Sequence, residues 1–308
     1  MMVFAKEDAA FFLTTWLQGK DEIVLVSGQS SFSKCGAETW LRPFLSGKNV
    51  VHLVTAGENA RTENVKELLH RIKACPDAYI AVGGGSVIDT TKLLRAGFPP
   101  ISETSKYVPF LAIPTTAGTG AEATRFAVYY DHGKKCSADD VRYLPTDQIL
   151  IQEFCDSATQ YQKAVCAFDA YAQAVESLWA KGATDESRSY ALKALDLMEK
   201  GEQLLGSYWA GRAIDISRTA AAHAFSYYMT STYGVPHGEA VYMMFPAVCR
   251  ANGHTEYIKD VPELRTLEKF IEEKSLDKES LIESLFANVN PVRLDNNPCE
   301  VRKEHFNG

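Results

Sequence analysis

Short runs of β-branched and apolar residues punctuate the first half of the chain, and between them apolar positions recur at helical spacing. IVLVSG (Ile23 to Gly28), VHLVTAG (Val51 to Gly57) and AYIAVGGG (Ala78 to Gly85) each have the length of a buried strand and each close on glycine. Between the last two, ENARTENVKELLHRIKAC sets Val65, Leu68, Leu69 and Ile72 on one stripe, which predicts a crossover helix. Strand and helix in alternation predict βαβ units around a parallel sheet. VPFLAIPTT (Val108 to Thr116) and FAVYY (Phe126 to Tyr130) are expected to extend that sheet. From about Ser157 the texture changes: QKAVCAFDAYAQAVESLWA and SRSYALKALDLMEK are Ala-rich and amphipathic at the helical period, so the second half is expected to be all α. No repeat and no low-complexity linker marks the join, which is placed near residue 150 by texture alone.

Composition changes this picture little but excludes several classes. With 308 residues and 46% of them apolar, the chain can fill one large core or two ordinary ones. A net charge of −7, from 39 acidic and 32 basic residues without a long run of either sign, argues against a nucleic-acid or membrane-surface partner. Any anion site must then be local. The opening MMVFAKEDAAFF interrupts its apolar residues with charge, and no apolar stretch approaches membrane-spanning length, so a cytoplasmic location is expected. Seven cysteines scattered singly, with no CxxC pair, predict free thiols and no zinc site of their own.

The candidate chemistry starts at two loops. Gly83, Gly84, Gly85 and Ser86 stand where a strand ends and VIDTTKLL begins a helix, so backbone N–H groups and a helix N-terminus can face a pyrophosphate. Three glycines alone also fit an ordinary tight turn. PTTAGTGAEAT (Pro114 to Thr124) follows another strand and offers Thr115, Thr116, Thr119 and Thr124 among bare glycines, which suits a diphosphate and ribose. Residues 1–150 thus read as an α/β, Rossmann-like dinucleotide domain. In the helical half, Asp169 and Gln173 share a helix face at a spacing of four, His223 and Tyr227 repeat that spacing, and His237 follows Pro236 in a turn before the HGEAV segment. Carboxylate and imidazole suit iron(II) or zinc, although each histidine taken singly reads as structural. Residues 151–308 are assigned to a helical metal and substrate domain.

AVGGGSVIDTTK, IPTTAGTGAEAT, FDAYAQAVES and HAFSYYMTSTYGVPHGEAV, in this order, resemble the signatures of the iron-containing alcohol dehydrogenase family over roughly residues 20–250. The resemblance implies the dehydroquinate-synthase-like fold: a dinucleotide domain, an all-α metal domain and an active-site cleft between them. It implies a metal held by Asp169, His223 and His237, with Gln173 where the family has a fourth ligand, a histidine. Tyr227 stands where the family has a further histidine assigned to proton relay. Lys135, in GKKC, resembles a family lysine near the nicotinamide ribose, and Asp89 is counted with the cofactor residues. The chain is shorter than typical members, and the passages near Lys200 to Gly206 and Arg250 to Asp260 read as abrupt.

AQAVESLWA, AIDISRTAAAHAFSYYMTSTYGVPHGEAV and VRLDNNP are similar to the phosphonoacetaldehyde reductase branch. That similarity implies NAD(P)H-linked reduction of phosphonoacetaldehyde to 2-hydroxyethylphosphonate, with Arg218 and Arg125 as cations for the anionic headgroup, in a homodimer. Sulfoacetaldehyde and lactaldehyde stay open as substrates. So do a dehydroquinate-synthase-like lyase or cyclase and a metal-free dinucleotide-binding protein. Where NAD-preferring relatives place an aspartate after the first strand, this chain has Gly28, Gln29, Ser30 and Ser31. Glycine leaves room for the extra phosphate and serine hydroxyls can donate to it, so NADPH is expected to be tolerated or preferred.

Overall fold

Residues that alternate between two apolar environments form the strands of the first half, and a computed structural model describes residues 2–3, 6–55, 59–96 and 108–307. The chain divides into two compact units, Met1–Ala158 and Thr159–Gly308. The first contains β1 (Met2–Val3), α1 (Lys6–Trp16), β2 (Glu22–Gly28), α2 (Ser31–Lys34), α3 (Ala37–Leu41), β3 (Asn49–Thr55), β4 (Ala60–Arg61) and α4 (Thr62–Arg71). It continues with β5 (Ala78–Gly83), α5 (Gly85–Ala96), β6 (Phe110–Pro114), β7 (Phe126–Asp131), β8 (Lys134–Asp139) and β9 (Asp147–Ile149). The end of the second expected strand, Ala56–Gly57, and the start of the expected crossover helix, Glu58, lie outside the described residues.

Among the described residues the main sheet has six strands in the order β1-β9-β6-β5-β2-β3, every pair parallel. Val24 and Val26, Tyr79 and Ala81, and Phe110 and Ala112 point into the core under α4 and α5. Ile23 and Leu25, Ile80 and Val82, and Leu111 and Ile113 point into the core under α1, α2 and α3. At these positions neither face of the period-two alternation is polar, as a parallel sheet covered on both faces requires. Burying each such side chain contributes about 1.5–3 kcal/mol.

FAVYY does not extend that sheet. β7 is the middle strand of a second sheet, parallel to β4 and antiparallel to β8. The reason is local: His132 and Gly133, with φ of 48° and 81°, close a two-residue hairpin that folds the charged KKCSAD run back onto FAVYY. Residues Val128 to Asp131 are accordingly only half-buried.

The second unit is helical throughout its described residues: α6 (Gln160–Trp179), α7 (Asp185–Glu199), α8 (Gln203–Ser217), α9 (Ala221–Tyr233), α10 (His237–Asn252), α11 (Leu267–Lys274), α12 (Lys278–Ala287) and α13 (Pro291–Asp295). Only Lys200 to Glu202 form the turn between α7 and α8, and Gln203 to Gly206 already belong to α8. Thr159 opens α6 with a capping box, its hydroxyl accepting from Gln162 N while the Gln162 side chain accepts from Thr159 N. From Phe168 to Ser177 α6 is buried on every side. Ala170 and Ala174 meet Ala191, Ala194, Ala210 and Ala213 of α7 and α8, small side chains that let three helix backbones approach. Phe168, Tyr171 and Val175 pack with Val241, Met244, Phe245 and Val248 of α10 in the main helical core. Asp169, Gln173 and Glu176 occupy the remaining stripe, at i, i+4 and i+7. No described helix is long and apolar enough to cross a membrane.

Candidate metal centre and dinucleotide loops

The polar stripe of α6 faces two histidines. His223 lies in the first turn of α9, and His237 is the first residue of α10 rather than part of the preceding turn; Pro236 is its N-cap, and Ala240 N already donates to Pro236 O at 2.9 Å. Gly238 explains why α10 starts so close to α6. A Cβ there would sit 2.0 Å from Val165 O, one turn before Asp169, so only glycine permits this approach. As a result His223 Nε2 lies 3.4 Å and His237 Nε2 3.7 Å from Asp169 Oδ1. One ligand atom from each of Asp169, His223 and His237 falls within 4.8 Å of the others.

Neighbouring side chains aim this trio. Gln173 Nε2 donates to Asp169 Oδ2 at 3.1 Å, which turns the other carboxylate oxygen toward the imidazoles. Ser226 Oγ is 3.4 Å from His237 Nδ1. Glu176, fully buried, is the residue that sequence reasoning passed over. Its carboxylate accepts from Ala220 N at 2.8 Å and Ala222 N at 2.7 Å, and it lies 2.6 Å from His223 Nδ1. One carboxylate therefore caps α9, whose first N–H groups lack helical partners, and fixes the imidazole with Nε2 toward Asp169. Burial opposes a charge on His223, but the Glu176 and Asp169 carboxylates outweigh it and lift the imidazole to about 9. Carboxylate and imidazole donors of this kind suit iron(II) or zinc. The available signal for Glu176 was its position, one further helical step along the Asp169–Gln173 stripe.

In the first unit the two polar loops pack on each other. A Cβ on Gly84 would lie 3.1 Å from Thr116 Oγ1, and one on Gly85 would lie 2.9 Å from Thr119 Oγ1, so the bare backbone lets the two loops approach closely. They join at the carboxyl ends of adjacent strands, where Gly83 of β5 is in register with Pro114 of β6. Ligands of open parallel sheets bind at that edge. Thr115 Oγ1 is buried there and makes no hydrogen bond among the described residues, which fits a ligand donor or acceptor. Gly28 ends the neighbouring strand β2, and Ser30, exposed, precedes α2. Ser86 Oγ accepts from Asn59 N at 3.0 Å.

The remaining expected cofactor residues divide. Asp89 and Thr124 belong to a buried network: Lys92, wholly buried, is 3.1 Å from Asp89 Oδ1 and donates to Thr124 Oγ1 at 3.3 Å, while Asp89 Oδ2 accepts from Val128 N at 3.0 Å. Both Asp89 oxygens thus tie α5 to its own interior surroundings. Lys135 is half-buried on β8. Of the residues expected to meet substrate, Arg125 lies in the first unit between the threonine loop and β7, whereas Arg218 and Tyr227 lie in the second. Arg218 ends α8 with φ 65° and ψ 168°, a backbone state L residues rarely adopt, and its guanidinium donates to Asp215 O. Tyr227, one turn after His223, has its phenol pushed up by burial, against the influence of the Arg293 guanidinium.

Residues 2–150 match the family described as iron-containing alcohol dehydrogenase, and residues 163–304 match the C-terminal region of the Fe-containing alcohol dehydrogenase family. The chain belongs to the iron-containing alcohol dehydrogenase family. Over 225 residues it is 29% identical to phosphonoacetaldehyde reductase of Streptomyces viridochromogenes, covering 62% of this chain and 57% of that protein. Over 219 residues it is 32% identical to 4-hydroxybutyrate dehydrogenase of Clostridium kluyveri, covering 60% of this chain and 58% of that protein. The chain thus spans less than two thirds of the length of either relative. The structure of sulfoacetaldehyde reductase from Bifidobacterium kashiwanohense in complex with NAD+ superposes with a TM-score of 0.85 at 23% identity, covering 99% of this chain and 94% of that one. That likeness establishes the α/β-plus-helical fold.

Proposed function

We propose that this chain is a metal-dependent, NAD(P)H-linked reductase of a small anionic aldehyde, with phosphonoacetaldehyde converted to 2-hydroxyethylphosphonate as the leading reaction. The observation that carries the reading is the meeting of Asp169, His223 and His237 around one point, buttressed by Glu176. When bound, a divalent metal polarises the carbonyl oxygen and reduced nicotinamide supplies the hydride. The protein's own part is positioning. Gln173 orients Asp169, and Glu176 keeps His223 Nδ1 engaged so that Nε2 is the ligand atom. Gly84 and Gly85 with Thr115, Thr116 and Thr119 cradle the dinucleotide diphosphate, with Lys135 near the ribose. Tyr227 is the side chain that delivers the proton to the alkoxide oxygen, and Arg218 or Arg125 pairs with the headgroup.

The test is a panel of phosphonoacetaldehyde, sulfoacetaldehyde, lactaldehyde and propanal, followed by loss of reduced-cofactor absorbance in protein loaded with iron(II) or zinc. Anionic aldehydes are expected to be preferred, and equal activity on propanal and phosphonoacetaldehyde would sink the reading. His223→Ala and His237→Ala proteins that keep wild-type metal content would refute the ligand assignment.

A further inference from the structure

Three consecutive residues at the start of α10 meet three successive turns of α6. Tyr161, Val165 and Asp169 share one face of α6, at i, i+4 and i+8. His237 Nε2 stands 3.7 Å from Asp169 Oδ1, Gly238 lies against Val165 O, and Glu239 Oε2 accepts from the Tyr161 hydroxyl at 2.7 Å. The candidate ligand is thus one end of a ladder whose other end is a hydrogen bond. That bond is itself held. Arg265, just before α11, donates to Glu239 Oε1 from its backbone N at 3.0 Å and from Nε at 3.0 Å, and to Oε2 from Nη2 at 2.8 Å.

Glu239 is wholly buried, and each of its oxygens accepts from two donors. It is the third residue of a helix whose N-cap is Pro236. A glutamate there commonly reaches back to the N-cap N–H, which proline lacks, so this carboxylate binds outward. A buried ion pair adds little net stability over apolar side chains of the same volume. Its hydrogen bonds are directional, however, and four of them on one carboxylate fix where the first turn of α10 sits along α6. Arg265 also donates to Glu273 Oε2 of α11 at 3.2 Å and keeps about a third of its side chain exposed, so the clamp runs from the surface to the ligand.

We propose that Tyr161, Glu239 and Arg265 are positioning residues of the metal site, which fix the register of α10 on α6 that brings His237 to Asp169. The assignment rests on the metal-dependent reading above. The experiment uses the full-length protein, stripped of metal and titrated with zinc(II) against a chelator, and its Tyr161→Phe and Arg265→Met variants. Tyr161→Phe removes one hydroxyl and keeps the ring; Arg265→Met keeps the aliphatic stem and loses the fork. Arg250→Met is the control, because Arg250 holds the opposite end of α10 by donating from Nε to His305 O at 2.8 Å. Each protein is measured well below its melting midpoint. Both clamp variants are expected to bind zinc about 10-fold more weakly and to change the visible spectrum of the cobalt(II)-loaded protein, while Arg250→Met matches wild type in both. If Arg265→Met does not fold, Tyr161→Phe decides alone. Clamp variants with wild-type affinity and spectrum would overturn the assignment. So would an Arg250→Met protein weakened equally, since the effect would then be one of general stability. A zinc affinity that survives His237→Ala would overturn the ligand reading itself, and this assignment with it.

Discussion

Removing the Glu176 carboxylate perturbs folding and metal affinity together, and the two effects can be separated by choice of substitution. Glu176→Ala leaves Ala220 N and Ala222 N without their acceptor, and deprives His223 of one of its two carboxylates. Breaking a buried, hydrogen-bonded charge pair costs about 3–5 kcal/mol, a large part of the roughly 5–15 kcal/mol that holds an ordinary domain together. For a unit of this size that corresponds to a fall of roughly 10 °C or more in the melting midpoint. Glu176→Gln is the informative variant. Its amide oxygen can accept from Ala220 N and His223 Nδ1 together, leaving its NH2 group against Ala222 N, or, reversed, from Ala222 N alone, leaving its NH2 group against Ala220 N and His223 Nδ1–H. In the reversed orientation part of the conflict is relieved if the imidazole shifts its proton to Nε2, the atom that faces Asp169. The glutamine protein is therefore expected to fold and yet to bind metal about 10–100-fold more weakly. Equilibrium competition with a chelator at fixed pH measures the affinity, and circular dichroism melts with and without metal monitor the fold. A folded Glu176→Gln protein with wild-type metal affinity would show that Glu176 is only the cap of α9.

Gly238→Ala places a methyl 2.0 Å from Val165 O and must push α10 away from α6, so metal content should fall sharply even though no ligand is altered; normal loading would refute the close-approach argument. Glu122 is buried and burial lifts its acid from 4.5 to about 7, against Lys92 and with Asp89. Because its folded state binds the proton more tightly, stability should decline as pH rises from about 4.5 to 7, by roughly 3 kcal/mol. Urea titrations at the two ends of that window measure the slope, and a Glu122→Gln protein with the same slope would exclude this residue as its source. For the cofactor, kcat/KM with NADPH is expected at least to equal that with NADH, and Gly28→Asp to swing the ratio toward NADH; a tenfold wild-type preference for NADH, about 1.4 kcal/mol, contradicts this.

The parallel core was legible because both faces of β2, β5 and β6 are covered, which leaves uninterrupted apolar runs in the sequence. Strand pairing was not. FAVYY has strand character whichever sheet it joins, and its partner KKCSAD is charged and reads as a loop. β1 and β9, at two and three residues, carry no periodic signal at all. The crossover helix was found, but Ile72 is its extended C-cap and not part of the helical stripe. At the candidate metal centre, the family resemblance marked Asp169, His223 and His237, which taken singly read as structural residues. Glu176 stayed hidden because what gives it a role lies far along the chain: the backbone N–H groups of Ala220 and Ala222. A lone Glu in an Ala-rich helix looks like a solvated residue until the partner helix is in place.

The alanine-lined contact of α6 with α7 and α8 makes the metal trio answerable to distant substitutions. Ala170 and Ala174 alternate along α6 with Asp169 and Gln173, so the helix cannot move on one face and stay still on the other. Adding two methyls at Ala194, on α7, overfills a contact built for the smallest side chains, which typically costs about 1–3 kcal/mol and is relieved by backbone shifts. Along a rigid helix that shift arrives at Asp169 nearly undiminished. Random mutagenesis screened for altered metal affinity should therefore return hits on α7 and α8 as readily as around the ligands, and attempts to enlarge that helical seam for stability would retune the metal site as a side effect.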